Sequence, residues 1–127
     1  EEHGKSLSTL LNEKTSSRSD FVKWTGDYRI PESADVVVNA TSIGLFPDIE
    51  ARIPLDVQSL RPGLVAADVI PNPPRTRFIR DAENAGCRVI DGVGMLVNQG
   101  VLGIEYWTGM KPDPAVMRGA LEKVFRL

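Results

Sequence analysis

The run Val36-Val37-Val38, leading directly into Asn39-Ala40-Thr41, restricts what this chain can become more than any other feature. A continuous β-branched run, as opposed to an alternation of apolar and polar residues, is the pattern of a strand buried on both faces of a parallel sheet. The polar turn Thr41–Gly44 ends it. The pattern recurs at Leu64–Ile70, which stops at Pro71, and more briefly at Arg88–Ile90, while Phe21–Trp24 reads as a further strand. Helical spacing fills the intervals. Leu7, Leu10 and Leu11 recur in Lys5–Lys14; Phe78, Ile79, Ala82 and Ala85 follow Thr76, a capping residue, and end at Gly86. A helix from Met95 to Trp107 is stopped by Gly109 and Pro112, and Met117, Leu121, Val124 and Phe125 mark a last amphipathic helix over 115–125. Buried strands separated by helices predict an α/β fold with a parallel sheet and helices on both faces.

Composition bounds the function. The 127 residues, 42% hydrophobic and 25% charged, suit one globular domain and exclude a disordered chain. A net charge of −2 argues against nucleic acid or an anionic membrane as a bulk electrostatic partner, and the apolar windows are too short or too interrupted to span a bilayer. Cys87 is the only cysteine, so no internal disulfide forms and the composition suits a reducing cytoplasm. His3 has no cysteine or second histidine at ligand spacing, so no metal site is expected. The chain opens at Glu1 inside what reads as an amphipathic helix, and it is taken as a segment of something longer.

In parallel α/β sheets ligands bind beyond the carboxyl ends of the strands. Three polar turns fall there: Asn39–Gly44, Asp68–Pro73 and Asp91–Met95. Each has a plain structural explanation as well as a chemical one. Asn39 and Thr41 can serve local backbone turns. Asp68 inside an apolar strand needs partners, and backbone groups can supply them. The Asp91-Gly92-Val93-Gly94 turn at a helix start is half of a phosphate loop, but the third glycine of a dinucleotide fingerprint would fall at Val97. Met95 and Gln99, four apart, share a helix face, and the residues alone favour a core methionine and a satisfied amide. Cys87, without a histidine partner, reads as a small hydrophobe.

Taken together, Val36-Val-Val-Asn-Ala-Thr-Ser-Ile-Gly44, Ala67-Asp-Val-Ile-Pro-Asn-Pro-Pro-Arg-Thr76 and Asp91-Gly-Val-Gly-Met-Leu-Val-Asn-Gln99, followed by Trp107-Thr-Gly109, closely resemble the carboxyl-terminal half of the shikimate/quinate dehydrogenase family in order and spacing. The resemblance runs from about residue 5 to the end. It implies residues 1–127 as the later portion of a Rossmann-like, doubly wound NAD(P)-binding domain with its closing helices, lacking the first β-α-β unit. The implied enzyme reduces 3-dehydroshikimate to shikimate with NADP, or with NAD, on the route to aromatic amino acids. The resemblance also assigns roles. Asn39, Ala40 and Thr41 line the cofactor cleft; Val69 and Gly92 contact the nicotinamide side, with Met95 packed beside them; Gln99 binds substrate hydroxyls, for which one amide offers both donors and an acceptor.

The chain also departs from the family pattern. Many members carry a tyrosine two positions beyond the residue matched by Val69, where its hydroxyl reaches the substrate carboxylate; here that position is Pro71, which has no donor. Quinate or a related cyclohexane carboxylate is thus an alternative substrate. The family's catalytic lysine and aspartate and its glycine-rich pyrophosphate turn find no match here, so catalysis by this polypeptide alone is not expected, and a non-catalytic remnant that binds a ligand or protein is the alternative. In the Rossmann strand order, Phe21–Trp24, Val36–Ala40, Leu64–Ile70 and Arg88–Ile90 would be the third to sixth strands. Val36–Ala40 would then stand at an edge, to be closed by self-association, by a missing chain, or by Phe21–Trp24 moving beside it.

Overall fold

The computed structural model describes residues 1–125. Its elements run α1 (Glu2–Lys14), β1 (Val36–Asn39), β2 (Val65–Asp68), α2 (Arg77–Asn84), β3 (Arg88–Ile90), α3 (Gly92–Thr108) and α4 (Pro114–Phe125), with one 3-10 turn at Val57–Ser59. The strands form one parallel sheet in the order β1-β2-β3, aligned Val36 with Val65 and Val65 with Arg88. All three strands therefore point their carboxyl ends the same way, and the three polar turns gather on one side of the molecule.

The sheet register divides the side chains into two sets. Val37, Ala66 and Val89 stand side by side on one face and pack on Phe78, Ile79 and Ala82 of α2 and on Ile30, Ile53, Leu55, Leu60 and Leu64. The irregular stretch between β1 and β2 supplies much of this core. It is tied down by a parallel bridge between Tyr28 and Leu55 and by Arg61, whose guanidinium donates to the carbonyls of Pro31, Glu32 and Ala34. The opposite face carries Val36, Val38 and Ile90, which are 54%, 53% and 51% exposed. The valine run is thus buried on one face and open on the other, where a strand buried on both was expected.

Phe21–Trp24 forms no strand. Strand propensity needs a neighbouring ladder to act on, and here other contacts hold the segment. Phe21 lies against Gly4 of α1, Lys23 pairs with Glu1, and the Trp24 ring stacks on Tyr28 at 5.3 Å. The sheet consequently has three strands, not four, and β1 is an edge. Helix α1 buries none of its residues. It is held through Phe21, through Lys23, and by Ser8 and Asn12, which both donate to the carbonyl of Ser19.

Helices α3 and α4 form a second small core, with Val93, Val97 and Val101 against Met117, Leu121 and Phe125. Helix α3 starts at Gly92, three residues before the expected Met95, because the Asp91 side chain caps it. It ends where Gly109 adopts the left-handed conformation, φ 71°, that closes a helix at little steric cost. Cys87 is buried and its thiol donates to the carbonyl of Arg61, in keeping with a packing role.

Candidate active site

Asp68, the last residue of β2, is 3% exposed, so its carboxylate must be satisfied within the protein. Three groups do this. Oδ1 accepts from the backbone N–H of Ile70 at 2.9 Å; Oδ2 accepts from Asn39 Nδ2 at 3.1 Å and from Thr76 Oγ1 at 2.6 Å. Thr76 in turn caps α2, its hydroxyl oxygen accepting from the N–H of Ile79 at 3.3 Å. Asn39 uses its own carbonyl to accept from the Thr41 N–H and hydroxyl, at 3.2 and 2.7 Å. One buried carboxylate thereby locks the end of β1, the turn after β2 and the start of α2 into a single polar unit. The plain explanations for Asn39, Thr41 and Asp68 all hold. Together they also set the backbone of Val69, which sits between the locked residues.

A second carboxylate organises the other wall. Asp91 Oδ1 accepts from the N–H groups of Val93 and Gly94, at 3.1 and 3.3 Å, so the positive end of the α3 dipole is already occupied. Its Oδ2 meets Arg118 of α4 at 3.3 Å, and the same guanidinium pairs with Glu122, which with Asp91 raises the arginine pKa further. Gly92 is needed for close approach: a Cβ there would collide with the carbonyl of Ile70 and the nitrogen of Pro71. Helix α3 is thus seated directly on the turn that follows β2.

Between these walls lies a crevice of about 510 Å³. Its floor is apolar, made by Ala67, Val69 and Ile90; its α3 side presents Met95, Asn98, Gln99 and Leu102. Met95 is 37% exposed and is no core methionine. The Gln99 carboxamide is exposed and makes no hydrogen bond among the described residues, so it is not a satisfied structural amide. Of the residues singled out from the sequence, Val69, Met95 and Gln99 share this crevice. Asn39 and Thr41 line a separate apolar recess of about 190 Å³ beside Trp24 and β1, joined to the crevice through Asp68. Ala40 is exposed and lines neither, and Gly92 is buried beneath the crevice. Asn98 and Leu102 were not singled out. Their signal was present in the sequence as the positions three and seven beyond Met95, on the same helical face.

No group of three or more histidine, cysteine or acidic side chains suited to a metal exists among the described residues, and no described helix is long and apolar enough to cross a membrane.

The chain is similar to known proteins in sequence and in fold. The profile of the shikimate 5'-dehydrogenase C-terminal domain matches residues 92–122. The NADP(+) shikimate dehydrogenase of Methanococcus aeolicus is 39% identical over 87 residues, covering 68% of this chain and 31% of its own length. Among solved structures, the ligand-free 5-ketofructose reductase of Gluconobacter sp. strain CHM43 superimposes with a TM-score of 0.89 at 46% identity, over 98% of this chain and 44% of that one. A shikimate dehydrogenase in complex with NADP+ does so with a TM-score of 0.69 at 34% identity, over 72% of this chain and 32% of that one. A parallel α/β sheet with a crevice at its carboxyl edge is the architecture of a Rossmann-like nucleotide-binding protein. The chain belongs to the shikimate dehydrogenase family and corresponds to its carboxyl-terminal part. It spans about a third of the length of the curated relatives it matches.

Proposed function

We propose that this chain forms the nicotinamide-side and substrate-side wall of an NADP(H)-dependent oxidoreductase that interconverts a ketone and a secondary alcohol on a small polyhydroxylated compound. The observation that carries this reading is the crevice itself, which joins an apolar floor with an amide that makes no hydrogen bond among the described residues, at the carboxyl edge of a parallel sheet. Ala67, Val69, Ile90 and Met95 suit the face of a flat ring, which fits a nicotinamide. When bound, that group supplies or accepts the hydride.

The chain's own residues bind and orient. The Asp68 unit keeps the Val69 backbone in place, Met95 excludes water from the floor, and Gln99 offers its amide to substrate hydroxyls. No lysine lines the crevice among the described residues, and its two carboxylates, Asp68 and Asp91, are already engaged by hydrogen bonds, so the proton that accompanies hydride transfer is assigned to a group outside it.

The reduction of 3-dehydroshikimate to shikimate is the reaction that the curated relatives suggest. A second reading, reduction of 5-ketofructose or a similar ketose, is favoured by two observations: the likeness to the 5-ketofructose reductase extends over 98% of the chain, and Pro71 offers no hydroxyl to a substrate carboxylate. Assay of the full-length natural polypeptide carrying these residues, with NADPH or NADH and each ketone in turn, separates the readings. Turnover of 3-dehydroshikimate alone establishes the first and turnover of 5-ketofructose alone the second. Turnover of no ketone with either nucleotide overturns both.

A further inference from the structure

Gln99 is not the most central polar side chain of the crevice. At about 100° per residue, the α3 positions that line it (Gly94, Met95, Asn98, Gln99 and Leu102) span one arc. Asn98 falls about 30° from the middle of that arc and Gln99 about 70°, near its rim. Asn98 is exposed, and its carboxamide makes no hydrogen bond among the described residues.

The residue one turn earlier supplies a second observation. Side chains on a helix lean toward its amino terminus and residues four apart share a face, so Asn98 and Gly94 stand on the same side of α3, both lining the crevice. Glycine inside a helix is unfavourable relative to alanine, and Gly94 has no packing reason to be one. A Cβ there would meet nothing closer than Arg118 Nη1 at 4.0 Å, and its φ is not in the left-handed region. Gly92, two residues before, is in the opposite situation, pressed against backbone. What the missing side chain of Gly94 does is leave open space on the crevice wall, one helical turn before Asn98 and bordered by the Arg118 guanidinium.

We propose that Asn98 and Gly94 form a hydroxyl-binding subsite beside Gln99, with Asn98 determining specificity for a polyhydroxylated ketone by donating to one ligand hydroxyl and accepting from another, in the room that Gly94 leaves. The proposal rests on the oxidoreductase reading above. A pair of neutral amides on one wall, above an apolar floor, recognises vicinal hydroxyls and gives no advantage to a ligand with a single oxygen.

The test uses the full-length natural polypeptide carrying these residues, with 3-dehydroshikimate, 5-ketofructose and a deoxy analogue of whichever ketone is turned over. Asn98→Ala should raise KM for the hydroxylated ketone roughly five- to tenfold, the size of one neutral hydrogen bond. It should leave the KM for the nucleotide unchanged and not lower the melting temperature, since alanine is the better helix former. The penalty should shrink with an analogue lacking one of the two bound hydroxyls. Gly94→Ala should raise the same KM while the fold is kept. Unchanged KM values in both variants, with wild-type turnover intact, would overturn the subsite and leave the oxidoreductase reading standing. Absence of wild-type turnover with any ketone would overturn both.

Discussion

Thr76 is the residue on which two kinds of interaction converge, because one hydroxyl both caps α2 and donates to the buried carboxylate of Asp68. Thr76→Val keeps the shape and removes both bonds. The expected loss is about 2–4 kcal/mol, from a helix cap and a hydrogen bond to a charged group together, whereas Thr76→Ser should retain most of the stability; denaturant unfolding of the two variants decides it. Gly92 carries a different constraint, since any side chain meets the Ile70–Pro71 backbone. Gly92→Ala should cost about 1–3 kcal/mol through overpacking and tilt α3 away from the crevice, visible as a lowered melting temperature. Gln99 has no hydrogen-bond partner to lose among the described residues. If the proposed function holds, Gln99→Ala in the full-length natural polypeptide should raise KM for the hydroxylated ketone by roughly tenfold with little change in kcat, since that bond is made in ground and transition states alike. A change confined to the nucleotide KM would place Gln99 on the wrong ligand.

Strands and helices differ here in how completely they are partnered. β2 has a neighbour on each side, while β1 shows a free edge and two exposed valines. An unprotected edge beside apolar side chains recruits further strands or copies of the chain. The isolated chain is therefore expected to self-associate, and Val36→Lys with Val38→Lys should shift it toward monomer in light scattering while leaving circular dichroism unchanged. An equally monomeric wild-type chain would contradict this. Element boundaries also show where local pattern was enough. Thr76 as the cap of α2 and Gly109 as the end of α3 were legible because capping chemistry is local. The start of α3 was displaced because a glycine pair hides a helix that its Asp91 cap and the contact of Gly92 with the Ile70–Pro71 turn together support.

For the molecule as a whole, the two helix starts nearest the crevice are closed to anions. α3 is capped by the Asp91 carboxylate and α2 by Thr76 over the Asp68 carboxylate. Phosphate binding at a helix start needs free N–H groups. This chain by itself should accordingly bind NADP or NAD only weakly, with no saturable heat in calorimetry below about 1 mM; a micromolar constant would show a pyrophosphate site that these helix starts do not provide.

The reach of the amino-acid sequence and that of the fold divide along a physical line. The valine run, the apolar Leu64–Ile70 stretch, the caps and the helical spacings are short-range patterns, and they were enough to establish a parallel α/β domain, three of its strands, and the side on which its polar turns collect. That Phe21–Trp24 would not pair, and that Val36 and Val38 would face outward, depended on which neighbours exist, and strand pairing is a long-range property no local run encodes. The same holds within the site. Asp68 was visible as an anomaly, a charge in an apolar strand, but its partners Asn39 and Thr76 lie 29 and 8 residues away. Only folding, which brings strand ends together and forces a buried carboxylate to find donors, decided that the anomaly ties the end of β1, the turn after β2 and the start of α2 together beside the crevice.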